Sequence, residues 1–319
     1  MILNNASSEV LRYMDSTEKI LFALRALYRA AGYAQYRMSK FEEYDLYSKN
    51  KDFLISDGVI TFTDTDGKLM ALKPDVTLSI IKNNKDLPDS VQKLCYDERV
   101  YRISKSTGRF REITQAGLEC HGKIDAACVG EVLLLAAKSM ELLGRNYVLQ
   151  ISHLGILSAL VDRISDDAAV RDAILKCVGE KNLHEIDEIC NAAGSPPEAS
   201  APLKRLSAVS GSVSDTLPEI RRLAEEAGVP EAADELAAAV RVFAGGAFAD
   251  KIRLDFSVTA NAGYYNGVVF KGFVDGVPES VLSGGQYDRL MRKMGRKSNA
   301  VGFAVYVDEL SRLSYPAEV

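Results

Sequence analysis

The sequence has no CxxC pair, no HExxH, no GxSxG and no GxxxxGKS/T, so it lacks the short signatures of a zinc site, a metalloprotease, a nucleophile elbow and a P-loop. Its five cysteines, Cys95, Cys120, Cys128, Cys177 and Cys190, are an odd set without paired spacing. That suits buried thiols in a reducing compartment and not a disulfide scaffold. Its three histidines, His121, His153 and His184, are scattered, which argues against a metal centre or a Ser-His-Asp arrangement. No apolar run approaches the ~20 residues of a membrane span, and the start, "MILNNASSEVLRYMDSTEK", has no basic stretch followed by an apolar core. A cytoplasmic protein with no metal and no cofactor is expected. Charge of one sign is also missing: 39 basic against 44 acidic residues, net -5, gives no global reason to bind nucleic acid or anionic membranes.

What is present is enough for a large core, with 47% hydrophobic residues in 319, in one or two domains. "STEKILFALRALYRAA", residues 16 to 31, places Ile20, Leu21, Leu24, Leu27 and Tyr28 on one helical face, with Asp15 or Ser16 as N-cap. From Gly32 to Leu72 short β-branched and aromatic runs such as "FLISDG" and "VITFTDTDG" alternate with Asp-Gly turns, which reads as antiparallel hairpins. "PDVTLSIIKN" predicts a short helix starting at Pro74. Further on come a long helix near 126 to 143, a strand at 146 to 152 and a helix at 155 to 163. Between about 165 and 249 composition shifts to alanine, glutamate, leucine and lysine, interrupted by "GSPPEASAP" and "SAVSGSVS". Strands resume at "KIRLDFSV", "GYYNGVVFKGFVDG" and "ESVLSGGQYD", and a short helix follows "AVGFAVYV". The expected fold is α+β: an antiparallel sheet flanked by helices, its core divided into 1–164 and 250–319 by a helical insertion at 165–249.

Between these elements lies "KLCYDERVYRISKSTGRFREITQAGLECHG", residues 93 to 122, two strands and a polar turn. Alternation puts Arg109, Arg111, Ile113, Gln115, Gly117, Glu119 and His121 on one face, with the more apolar set on the other. Gln115 and Glu119 then project together, about 13 Å apart, over an open floor at Gly117. An amide, a carboxylate and a gap suit a small ligand with N–H donors or an ammonium group. Periodicity taken alone also admits, and favours, a solvated sheet face.

"YRISKSTGRFREITQAGLECHG" resembles motif 2 of class II aminoacyl-tRNA synthetases in the histidyl form: an arginine strand, a loop, then a G-R-F/Y-R and Q-x-G-x-E strand. "LMALKPDVT", "GYYNGVVF" and "SGGQYDRL" with "AVGFAVYV" resemble three further family segments, in the same order. The resemblance implies a class II synthetase-like sheet over about two thirds of the chain. It implies that Asp75 and Thr77, with Gln115 beside them, hold the amino group of histidine. It also implies that Glu119 and Tyr265, with Tyr264 next to them, bind its imidazole.

The nucleotide half departs from the family. Arg102 matches the motif 2 arginine, but Ser104 stands where a glutamate reads adenine, Glu309 where motif 3 has its arginine, and Ala260 where a third arginine is expected. Catalysis by this chain is therefore not expected, since adenylation needs positive charge on the triphosphate. "YRMSKFEEYDLY" also lacks the proline of motif 1, and the segment after Glu309 is too short for an anticodon-binding domain. These losses resemble the synthetase-like regulatory subunits of ATP phosphoribosyltransferase, in the first step of histidine biosynthesis. That resemblance implies a short-form catalytic subunit as partner, L-histidine as feedback effector, and a self-dimer within a hetero-octamer. The alternatives are a stand-alone ligase that adenylates histidine or a similar small acid, which Arg102 favours, and a tRNA-binding paralogue, which the charge balance disfavours.

Overall fold

The computed structural model describes residues 12–54, 58–104, 107–259 and 264–311. Their strands are β1 (Ala34–Gln35), β2 (Phe41–Glu43), β3 (Thr61–Thr63), β4 (Leu69–Leu72), β5 (Val91–Ile103), β6 (Phe110–Gly122), β7 (Tyr147–His153), β8 (Ser210–Gly211), β9 (Ile252–Asp255), β10 (Val268–Val274), β11 (Leu282–Gln286) and β12 (Asn299–Tyr306). Nine of them form one sheet in the order β1-β5-β6-β12-β11-β10-β7-β9-β8, and the other three a small sheet, β2-β4-β3. The expected antiparallel sheet is present, with parallel pairing only at β1 with β5 and at β7 with β9. Parallel neighbours need a crossover connection. The helical region between β7 and β9 supplies one of these crossovers.

Helix Ser16–Ala30 begins at a capping box: Asp15 accepts from Glu18 N, and the Glu18 carboxylate accepts from Asp15 N. Its buried Leu24, Leu27 and Tyr28 pack with helix Ala126–Leu142 in one apolar cluster against Ala116, Leu118 and Cys120 of β6. That covers one face of the sheet. In the crossover, Ile174, Leu206, Leu223 and Leu236 are buried in the same cluster as Ile151 and Leu254. β8, from within that region, also pairs with the edge of β9.

The other face of β6 meets helix Val76–Asn83, which starts two residues later than Pro74 suggested. Asp75 is its N-cap, accepting from Leu78 N at 2.8 Å. Pro74 belongs instead to the approach, which Lys73 fastens to β5: the Lys73 carbonyl accepts from Tyr101 N at 2.9 Å and its buried ammonium donates to Glu98 at 2.9 Å. Arg102 Nε donates to the Pro74 carbonyl at 2.9 Å. These bonds hold the helix N-terminus over the hairpin.

Candidate functional site

The roofed face of the sheet carries a cavity of about 270 Å³. Residues far apart in the sequence meet there: Asp75, Thr77, Gln115, Glu119, Tyr264 and Tyr265 all line it, together with Arg102. Gln115 and Glu119 are 3% and 2% exposed, so this face of β6 is not solvated from Gln115 onward, whereas Arg111 remains exposed. Strand register builds the floor. Glu119 lies opposite Gly302, which lies opposite Gly285; Gly117 lies opposite Ala304, then Ser283, then Lys271. Small side chains therefore fill the middle and large polar ones the margin.

Three glycines are needed here for the close approach they permit. A Cβ at 302 would run into the Glu119 carboxylate, and one at 285 would press on the Tyr265 ring. The expected open floor at Gly117 is not open. The Tyr96 phenol and the Phe303 carbonyl occupy the space a side chain there would take. The free volume lies instead over Gly302, Ala304 and Ser283.

Burial governs the charges. Glu119 accepts from Thr77 Oγ1 at 2.7 Å and from the Tyr287 hydroxyl, yet desolvation pushes its pKa up to about 8. Asp75 is raised as well, chiefly by desolvation, against the pull of its helix-cap bonds and of Arg102. Tyr264 and Tyr265 are held protonated by burial, as donors, and their rings meet edge to face at 4.6 Å. A carboxyl pair that is reluctant to ionise, beside neutral phenols, suits a ligand that brings its own positive or N–H group.

The residues expected of a nucleotide half are placed differently. Ser104 and Glu309 lie outside the cavity lining. Ser104 N donates to the Arg109 carbonyl at the hairpin end, while Glu309 pairs with Arg111 at 3.6 Å. The carboxylate at the position where the resemblance expects an arginine thus faces an arginine of the hairpin. Ala260 lies outside the described residues. Sequence reading missed Tyr96, Lys271, Ser283, Tyr287 and Tyr306, which also line the cavity. Tyr287 had a signal, since it stands two residues after the glycine pair of "SGGQYD"; the others are set by cross-strand register.

A large antiparallel sheet holding an amino-acid-sized cavity beside a motif 2 hairpin defines the class: a class II aminoacyl-tRNA synthetase-like core. The Histidyl-tRNA synthetase family profile matches residues 11–310, and the chain belongs to that family. A relative from Alkaliphilus metalliredigens named ATP phosphoribosyltransferase regulatory subunit is 27% identical over 88% of this chain and 72% of its own length. An ATP phosphoribosyltransferase regulatory subunit/histidyl-tRNA synthetase from Bacillus halodurans has a similar structure, with a TM-score of 0.80 and 24% identity over 93% of this chain and 78% of that one. A chain of the ATP phosphoribosyl transferase (HisG:HisZ) complex from Thermotoga maritima superposes with a TM-score of 0.70 and 19% identity, covering 92% of this chain and 98% of that one.

Proposed function

We propose that this chain is a non-catalytic regulatory subunit that binds and activates a short-form ATP phosphoribosyltransferase catalytic subunit in the cytoplasm and makes it sensitive to L-histidine. The observation that carries the reading is an asymmetry: the residues of a histidine-type pocket converge on one cavity, whereas at the nucleotide half Glu309 neutralises Arg111. The relatives' names support the regulatory role, and the superposition on a chain of the (HisG:HisZ) complex supports the partner. Asp75, Thr77 and Gln115 take the amino group, and Glu119, Tyr264 and Tyr265 take the imidazole. The division into 1–164, 165–249 and 250–319, and a self-dimer within a hetero-octamer, belong to the same reading.

Feedback then works by linkage. Histidine binds one state of the assembly better and draws the population toward it; a difference of about 1–3 kcal/mol gives about 5- to 150-fold inhibition. The test mixes the purified chain with a short-form catalytic subunit. Phosphoribosyl transfer to ATP should rise on mixing and fall again with L-histidine, and the fall should be weaker for Glu119→Gln. Separate elution on size exclusion, with a catalytic subunit equally active alone, would refute the reading.

A further inference from the structure

The cavity is lined by two acids, Asp75 and Glu119, and two cations, Arg102 and Lys271. Arg102 is committed to the roof: its Nε donates to the Pro74 carbonyl and its charge acts on Asp75. Lys271 is placed differently. It sits on β10, three strands from Glu119 and two residues along, roughly 16 Å between Cα atoms at ~4.8 Å per strand and ~3.3 Å per residue. With both side chains extended into the cavity, the space left between their ends is about one small amino acid long.

The surroundings of Lys271 fit an anion. Ser283 is its direct cross-strand partner, and the Ser283 and Tyr306 hydroxyls lie 2.9 Å apart and both line the cavity. Among the described residues no carboxylate forms a salt bridge with Lys271; the acid that acts on it is Glu279, which is exposed and outside the cavity lining. Burial pulls its proton affinity down, and Glu279 only partly restores it. A bound carboxylate would supply the missing counter-charge.

We infer that Lys271, with Ser283 and Tyr306 beside it, holds the carboxylate of the amino acid whose nitrogen groups face Asp75 and Glu119. This rests on the histidine-pocket reading and names the residue that makes the pocket select an amino acid over the corresponding amine. Calorimetric titration of the full chain with L-histidine and with histamine, which lacks only the carboxylate, tests it. The wild type should prefer L-histidine by about tenfold or more, as one charge-assisted hydrogen bond allows. Lys271→Met should erase that preference with histamine binding retained, and Lys271→Arg should keep it. If histamine is too weak to measure, L-histidine bound by Lys271→Arg and not by Lys271→Met, at equal melting temperatures, supports the inference equally. An undiminished preference in Lys271→Met, or equal loss of both ligands, overturns the inference while L-histidine binding sensitive to Glu119→Gln leaves the pocket reading intact. A wild type that binds no L-histidine removes both.

Discussion

Glu119 ends a buried polar chain. Its oxygens accept from Thr77 and Tyr287, and the Tyr287 hydroxyl lies 2.8 Å from His121 Nε2. A phenol has one proton, and Tyr287 gives it to Glu119, so His121 donates as the Nε2–H tautomer. Burial holds His121 down to about 4, so it stays neutral at ordinary pH. Tyr287→Phe leaves both neighbours short of a partner and should cost about 1–3 kcal/mol of stability in urea melts. Glu119 itself predicts a pH dependence. Burial raises it from 4.5 to about 8, so the folded state holds its proton more tightly than the unfolded chain does. The stability this contributes is complete below about 4.5 and is lost as pH rises through about 8. Glu119→Gln stays neutral throughout. Relative to wild type, the variant should therefore gain stability from pH 5 to 8.5, on the order of a few kcal/mol. The acid-side loss from His121 is largely shared by the two proteins and drops out of the difference. A stability gap that does not change over this range would show that Glu119 ionises normally.

Helix Val76–Asn83 joins a structural task to a chemical one. Asp75 caps its N-terminus and also lines the cavity. Asparagine caps about as well as aspartate but carries no charge, whereas alanine does neither. Asp75→Asn should hold the melting temperature near wild type and weaken L-histidine binding. Asp75→Ala should lose the binding and about 1 kcal/mol of stability. If the two variants melt alike, the cap adds nothing that water does not replace. The same helix decides the character of β6, because the Thr77 hydroxyl reaches Glu119 and Val76 and Ile80 pack on Tyr96 and Val100. Period-two patterning marks which side chains share a face of the hairpin but not what lies on that face.

Across the whole molecule, the helical region between β7 and β9 is the crossover that lets these strands run parallel, and its apolar side chains are continuous with the sheet's core. It should not melt alone. Far-ultraviolet dichroism, dominated by helices, and near-ultraviolet tyrosine signals should report one coincident transition; the chain has no tryptophan and 14 tyrosines. Two resolved transitions would mark that helical region as an independent unit. Charge sets the remaining expectation. A carboxylate in place of a cation about 4 Å from a phosphate removes one attraction and adds one repulsion, each of order 4 kcal/mol at an effective dielectric near 20. One such change is worth nearly three decades of binding, at about 1.4 kcal/mol per tenfold. Histidine-dependent ATP–pyrophosphate exchange should be absent. Exchange at a synthetase-like rate, abolished by Arg102→Ala, would restore the ligase reading.

The sequence by itself determined the first helix with its cap, the hairpin and the identities of Asp75, Thr77, Gln115, Glu119, Tyr264 and Tyr265 as cavity residues, because capping, periodicity and motif order are local and survive as strings. It also carried the carboxylate at position 309, where the resemblance expects an arginine. The tertiary structure alone decided that Tyr96 fills the space over Gly117, that Lys271 and Ser283 stand across the sheet from Glu119, and that Glu309 finds Arg111. Those pairings join strands far apart in the chain. Their register is set by the packing of whole strands against a shared core, and no single stretch of sequence contains it.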